Sequence, residues 1–133
     1  MWAAPGFNRH DRFHIHGVTG PDEYTALVDD NAYTNMMARM NLRYAADVVD
    51  RMRREQESRF SALADHLRIT DEEVVGWRLA ADAMYVPYDA QLGITPQDDS
   101  FLELEPWDFA GTPPERYPLL LHFHPLVIYR YQV

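Results

Sequence analysis

The pattern of apolar and polar residues is helical through the middle of the chain. From about Asn31 to Arg54, polar residues recur along one stripe at 100° per residue, and apolar residues occupy the other side. The polar stripe comprises Asn35, Arg39, Arg43, Asp47, Asp50 and Arg54; the apolar side comprises Tyr33, Met37, Met40, Tyr44, Val48 and Met52. The pattern predicts one long helix whose broad apolar side contacts more than one neighbouring helix. It also predicts that Asn41 is a buried, hydrogen-bonded amide and that the methionines fill the core.

Two shorter helices are predicted after the long one. Apolar residues between Glu57 and His66 recur at helical spacing. A capping box at 70–73, Thr-Asp-Glu-Glu, then starts a third helix, which Pro87 ends. Three helices joined by short connections, with no convincing long strand, predict an all-α architecture.

The helical period fails between Pro87 and Pro118, where six of the nine prolines lie. Such long irregular segments are functional or disordered, and the large apolar residues of this one argue against disorder. Among its carboxylates are Asp98, Asp99, Glu103, Glu105 and Asp108. We expect most of them to be solvated, with Asp108 beside Trp107 the candidate for a further role. The last stretch, 127–133, is interpreted as the beginning of a longer element.

A turn near the start of the chain carries the strongest candidate chemistry. The sequence 17–24, Gly-Val-Thr-Gly-Pro-Asp-Glu-Tyr, cannot continue a helix or a central strand, so it predicts a sharp turn that presents Asp22, Glu23 and Tyr24. Asp29, Asp30 and Asn31 are good N-cap types for the helix that follows. An acidic pair on a rigid turn, backed by a helix, is how a positioned carboxyl group is built, although many such pairs are merely solvated.

Two histidines precede this turn. Phe13-His14-Ile15-His16 alternates apolar and polar residues, which predicts a short strand with both imidazoles on one face. Zinc requires three or four ligands, so two histidines alone do not make a site. We therefore predict no bound metal and ordinary polar roles for both.

Composition narrows the function classes. The chain has 133 residues, which fits one domain or part of one, and a net charge of −9 argues against a nucleic-acid surface. It has no apolar run of about 18 residues that would span a membrane, and its first residues lack the features of a signal peptide. With no cysteine it has no disulfide or thiolate site, and a cytoplasmic location is predicted by default.

Three separated blocks of sequence resemble one known family. They are residues 17–24 with 28–35 and Asn41-Leu42, then residues 97–102 with Trp107-Asp108, then residues 124–133. In this order and wording the chain resembles glycoside hydrolase family 65. That family contains the maltose, trehalose and kojibiose phosphorylases and the acid trehalases.

The resemblance implies a fold, a reaction and roles for residues. It implies that residues 1–133 are a fragment of one (α/α)6-barrel catalytic domain, incomplete at both ends, with about three or four of the barrel helices. Glu23 occupies the place of the general acid, which protonates the glycosidic oxygen. Asp22 and Tyr24 would line the substrate site around it. In the phosphorylases the co-substrate is inorganic phosphate, which inverts the anomeric carbon, and no other cofactor is implied; in the hydrolases water is the nucleophile.

The sequence also departs from the family pattern. Thr25 stands where relatives usually have histidine or a similar polar residue, and Ser100 replaces the commoner glycine. Relatives have a sugar-binding Lys-Gln pair after the place that Val133 occupies. Three readings therefore stay open: part of an inverting disaccharide phosphorylase, part of a trehalase-type hydrolase, or a non-catalytic helical fragment that associates with other chains. Helix faces exposed by an incomplete barrel would favour a homo-oligomer.

Overall fold

The computed structural model describes residues 6–7, 10–21 and 24–133. The described residues fall into two compact units. We call the first the loop unit; it comprises Ile15–Thr34 and Val86–Val133. The second, the helical unit, comprises Asn35–Tyr85 and the described part of Pro5–His14. Each unit is described by itself below.

Three helices build the helical unit, as the apolar periodicity predicts. Helix α1 is Ala32–Glu55, with its first turn in the loop unit, α2 is Glu57–Leu67 and α3 is Asp71–Ala83. The predicted cap of α3 forms, because the Thr70 hydroxyl accepts a hydrogen bond from the Glu73 amide at 3.2 Å. Arg68 ends α2 in a left-handed conformation. Local sequence signals therefore place all three helices to within a few residues.

The core of the helical unit joins all three helices through small and medium apolar side chains. Its buried members are Ala46, Val49, Phe60 and Val74, and Met52, Ala64, Ile69 and Trp77 pack partly buried against them. Ion pairs flank this core on the surface. The Arg78 guanidinium lies 3.1 Å from Asp47 and 2.5 Å from Asp50, which links α3 to the polar stripe predicted for α1.

The first half of α1 contradicts the prediction of a broad buried side. Met40 and Tyr44 are 57% and 65% exposed, Met36 and Met37 are exposed, and so is Asn41. The predictions of a core amide and of methionine filler are wrong at these positions. In the helical unit the buried stripe of α1 is narrow and runs through Ala46 and Val49, where α2 and α3 contribute to the same core.

Small two-stranded sheets accompany the helices, so the fold is mostly helical rather than helical throughout. In the helical unit β1, Gly6–Phe7, pairs antiparallel with β2, Phe13–His14. In the loop unit β3, Glu105–Pro106, pairs parallel with β4, Tyr131–Gln132. The sequence predicted only the strand at Phe13. A two-residue strand has too little pattern to be recognised before its distant partner is known.

The remainder of the loop unit is irregular and packs around two aliphatic residues. Leu119 and Ile128 are buried, 1% and 0% exposed. Leu119 lies in one of several short 3₁₀ turns, and Ile128 ends the four-residue helix α4, Pro125–Ile128. The longer element expected from 127 is thus the end of α4 followed by β4. In the part of the chain that the structure describes, no helix is long and apolar enough to cross a membrane.

Candidate functional site

The predicted turn is a closed loop whose two ends are hydrogen-bonded to each other. Val18 and Val28 form an antiparallel bridge, with N–O distances of 3.0 Å and 2.9 Å. One step further in, the Thr19 hydroxyl donates to the Ala26 carbonyl at 2.7 Å. We call residues 19–27 the acidic loop, because they include Asp22 and Glu23. Two cross-links therefore join the segments that enter and leave the acidic loop.

The three candidate site residues all lie in the acidic loop. Asp22 and Glu23 lie outside the described residues. Tyr24, which follows them, is half-buried. Thr25 is 8% exposed, and its hydroxyl has no hydrogen-bond partner among the described residues.

Two aspartates form contacts with residues 15–17, the segment that precedes the acidic loop. The Asp29 carboxylate accepts a hydrogen bond from the Gly17 amide at 2.9 Å and lies 3.3 Å from the His16 imidazole. Asp30 is buried, has a positive φ of 53°, and exchanges hydrogen bonds with the Ile15 backbone through its own amide and carboxylate. The sequence singled out both as helix-capping types. They instead hold irregular backbone, whose amides would otherwise lack acceptors.

Asn31 caps α1 as the sequence predicts. Its Oδ1 accepts hydrogen bonds from the Thr34 amide at 3.0 Å and from the Thr34 hydroxyl at 3.1 Å. The residue is fully buried, and its Nδ2 has no acceptor among the described residues. That Nδ2 lies against Gly20 of the acidic loop, where a Cβ on the glycine would be only 2.5 Å away. The start of α1 and the acidic loop are therefore in direct contact.

A second buried polar residue lies beside the same helix start. The Gln97 carbonyl accepts from the Ala32 amide at 2.9 Å, and the Asp99 amide donates to the Asp29 carbonyl at 3.3 Å. Between them, Asp98 is 1% exposed, and its Oδ1 accepts from the Ser100 amide and hydroxyl at 2.9 Å and 2.8 Å. Its Oδ2 has no partner within the described part of the chain.

Sequence reasoning did not foresee that Asn31 and Asp98 are fully buried. Asn31 was interpreted only as a capping type. Most carboxylates of 98–108 were expected to be solvated, which is confirmed for Asp99, Glu103, Glu105 and Asp108, whereas Asp98 is buried. The available signal for Asp98 was Ser100 two residues later, because an Asp side chain that bonds the amide two residues on makes a local turn. Nothing in the local sequence shows that this turn is buried.

The carboxylate that the sequence favoured, Asp108, holds a turn on the surface. It is exposed, and its Oδ1 accepts from the Gly111 amide at 2.8 Å. Its neighbour Trp107 packs edge-on against Phe123 and Tyr131, with ring centroids 5.0 Å and 5.2 Å apart. These contacts give both residues structural roles in the loop unit.

The two histidines have separate local partners. His14 stacks on Tyr85 with ring centroids 4.9 Å apart, whereas His16 lies beside Asp29. Within residues 6–7, 10–21 and 24–133, no group of three histidines or carboxylates is arranged to hold a metal ion.

A shallow groove of about 510 Å³ borders the acidic loop. One wall is formed by Thr19, Thr25 and Ala26, and the other by Leu120, Leu121, Pro125 and Tyr129. The walls are largely apolar, and the Thr19 hydroxyl is already engaged by the Ala26 carbonyl. The groove therefore offers contact area rather than charged groups.

Comparison with known proteins finds a matching family model and similar proteins. Residues 1–133 match the family model described as the glycosyl hydrolase family 65 central catalytic domain. The chain is 52% identical, over its whole length, to an alpha,alpha-trehalose phosphorylase of Geobacillus stearothermophilus. It is 54% identical, over 92% of its length, to an alpha,alpha-trehalose phosphorylase of Thermoanaerobacter brockii. It spans only 17% and 16% of those two relatives.

A solved structure shares the fold. A chain described as a kojibiose phosphorylase from the human microbiome superposes with a TM-score of 0.79 and 25% identity. The match covers 97% of this chain and 18% of that one. Nearly all of the arrangement described above therefore recurs within a much longer protein.

Proposed function

The chain belongs to glycosyl hydrolase family 65, and from that premise we propose that it is the part of a disaccharide phosphorylase that carries the general acid. The proposed substrate is an α-glucosidic disaccharide. Trehalose is the first to test, because the relatives that share half of their aligned residues with this chain are trehalose phosphorylases. We further propose that the chain is part of one (α/α)6 barrel that extends beyond it on both sides. The extent of the structural match supports this.

The observation that carries the proposal is the closed base of the acidic loop. The Val18–Val28 bridge, the Thr19–Ala26 hydrogen bond and the Asn31–Gly20 contact hold the chain on both sides of Asp22 and Glu23. A general acid acts only when its proton is within hydrogen-bond reach of the leaving oxygen, so such a carboxyl group requires a rigid support. A loop with no cross-links would not supply one.

In the proposed reaction Glu23 is the acid and phosphate is the nucleophile. Glu23 donates its proton to the glycosidic oxygen as the bond between that oxygen and the anomeric carbon breaks. An oxygen of inorganic phosphate bonds to the anomeric carbon from the opposite face, which inverts it. The products are β-glucose 1-phosphate and the released sugar, and Glu23 regains a proton from the solvent. Phosphate is already anionic, so no second carboxylate is needed to activate it. Asp22 and Tyr24 are proposed to line the substrate site.

Glu23→Gln tests this role in the whole phosphorylase of which the segment forms part. Glutamine keeps the size of the side chain but cannot give up a proton. Turnover of trehalose should therefore fall by about 10²–10⁴-fold, the usual contribution of a positioned acid. An α-glucosyl fluoride has a leaving group that needs no proton, so phosphorolysis of the fluoride should fall much less.

The controls are the neighbouring and the surface carboxylates. Asp22→Asn and Asp108→Asn should not produce this contrast between substrates. If Glu23→Gln slows both substrates equally, or if Asp22→Asn shows the contrast instead, the acid role does not belong to Glu23. Release of glucose from trehalose without added phosphate would identify water as the nucleophile and favour the hydrolase alternative.

The chain alone should turn over none of these sugars. It spans about a sixth of its curated relatives, and proximity and orientation in a complete site supply about 7–11 kcal/mol of a barrier. We expect no phosphorolysis or hydrolysis of maltose, trehalose or kojibiose by the purified chain. Turnover that is abolished by Glu23→Gln would contradict this expectation.

A further inference from the structure

The contact between Gly20 and Asn31 is too close for any other residue at position 20. A Cβ on Gly20 would lie 2.5 Å from Asn31 Nδ2 and 3.2 Å from its Cγ. No positive φ accounts for glycine at this position, in contrast to Gly17, whose φ is 64°. The glycine is therefore required by close packing rather than by backbone conformation.

Asn31 cannot move aside to relieve such a contact. Its side chain is fully buried, and Oδ1 holds both the amide and the hydroxyl of Thr34 at 3.0 Å and 3.1 Å. Rotation of the amide would break the cap of α1 and remove the acceptor of the half-buried amide and hydroxyl of Thr34. Asn31 is thus fixed to the start of α1, and its side chain limits how closely Gly20 of the acidic loop can approach.

The residues before Gly20 cannot move to accommodate a displacement of Gly20. Val18, two residues before it, is held by the bridge to Val28, and Thr19 is held by the Ala26 carbonyl. We therefore expect a substitution at Gly20 to displace the chain that follows it, toward the proposed acid in the sequence. A misplacement of about 1 Å in a catalytic constellation costs about 10²-fold in rate.

We propose that Asn31 is a positioning residue for the general acid. The side-chain amide of Asn31 contacts the acidic loop at Gly20 and so fixes the distance between Gly20 and the start of α1. Glycine at position 20 permits this close contact because it has no Cβ. This role rests on the proposed function of Glu23, but the contact itself does not depend on that function. Asn31 need not touch the substrate; it acts through the loop.

Two variants separate positioning from simple capping. Gly20→Ala inserts the Cβ against Nδ2 and leaves the cap residue unchanged. Asn31→Ser keeps an oxygen able to cap α1, because serine is as good a cap as asparagine, but removes the amide on which Gly20 rests. Matched controls come from the helical unit. Gly76→Ala adds a Cβ that meets nothing within 4 Å, and Thr70→Ala removes the cap of α3.

The decisive measurement is the ratio of trehalose turnover to α-glucosyl fluoride turnover in the whole phosphorylase. For Gly20→Ala and Asn31→Ser we expect trehalose turnover to fall by about 10²-fold and the ratio to fall by at least about 10-fold. A loss of folded protein would lower both substrates together and leave the ratio unchanged, as expected for Thr70→Ala. If Gly20→Ala fails to fold, the ratio for Asn31→Ser decides.

Failure of this inference differs from failure of the proposed function. If Glu23→Gln lowers the ratio but Asn31→Ser and Gly20→Ala retain that of the wild type, Asn31 has no positioning role. If Glu23→Gln itself leaves the ratio unchanged, the acid role of Glu23 fails, and the contact is then judged from amide hydrogen exchange in the whole phosphorylase. There, Gly20→Ala should speed exchange at the amides of Tyr24 and Thr25, whereas Gly76→Ala should not. Unchanged exchange at these two amides in Gly20→Ala would overturn the contact.

Discussion

The loop unit and the helical unit bury different kinds of side chain. In the helical unit the core consists of Ala46, Val49, Phe60 and Val74. The loop unit buries Leu119 and Ile128, but it also buries Asp30, Asn31 and Asp98, none more than 2% exposed. Most of the buried polar side chains that the structure describes lie in the irregular backbone of the loop unit. In the helical unit Asn35 of α1, which the sequence placed on the polar stripe, is also fully buried, and its Nδ2 donates to the Tyr85 carbonyl at 2.8 Å.

The difference follows from where backbone hydrogen bonds are satisfied. A helix satisfies its own amides and carbonyls except at its ends, so its core is mainly apolar. An irregular segment leaves amides without partners, and side-chain oxygens, some buried and some exposed, then supply the acceptors. Asp29, Asp30 and Asp98 accept from the amides of Gly17, Ile15 and Ser100. Hydrogen bonds of this kind hold the base of the acidic loop, which is why a proposed site belongs in this unit.

The largest expected effect is the loss of an aromatic side chain from the helical core. Phe60 is 9% exposed and packs under the Arg53 guanidinium, 5.1 Å from its ring centroid. Phe60→Ala should lower the free energy of unfolding by about 3–5 kcal/mol, measured by urea denaturation. Leu63→Ala, at a 38% exposed position of the same helix, is the matched control and should cost much less. Equal losses at the two positions would mean that the helical core is not the source of stability proposed here.

An intermediate effect is expected from the polar core. Asp98→Ala removes the acceptor of the Ser100 amide and hydroxyl, so it should cost about 1–3 kcal/mol of unfolding free energy. Glu103→Ala changes an exposed carboxylate of the same segment and should be near neutral. Should Asp98→Ala prove as mild as Glu103→Ala, the comparison between the units would fail, because the polar core would then contribute no stability.

The smallest effect is expected from the surface ion pairs that link α1 to α3. Arg78→Gln breaks the pairs with Asp47 and Asp50, whose side chains are 71% and 45% exposed. Exposed pairs are worth about 0–1 kcal/mol, and salt screens them. The difference in unfolding free energy from the wild type should therefore be below about 1 kcal/mol and should shrink as salt is added. A loss that is larger, or that does not change with salt, would show that Arg78 also packs in the core.

The helices of this protein could be predicted because their signals are contiguous. Helix α1 was expected at 31–54 and lies at Ala32–Glu55, and Thr70 caps α3 as its capping box predicts. The exposure of Met40, Asn41 and Tyr44 could not be predicted in this way. Periodicity shows which residues share a face of a helix, but not whether another element covers that face.

The sequence by itself determined the helices, the acidic loop as a turn, and the family to which the chain belongs. Each of these depends on residues adjacent in the chain or on the order of a few short motifs. Only the tertiary structure decided that Asp98 is buried whereas Asp108 is exposed, and that Asn31 supports Gly20. The physical reason is that burial and close contact are set by segments far apart in sequence. The backbone of 97–99 hydrogen-bonds to that of 29–32, and no local pattern records that pairing.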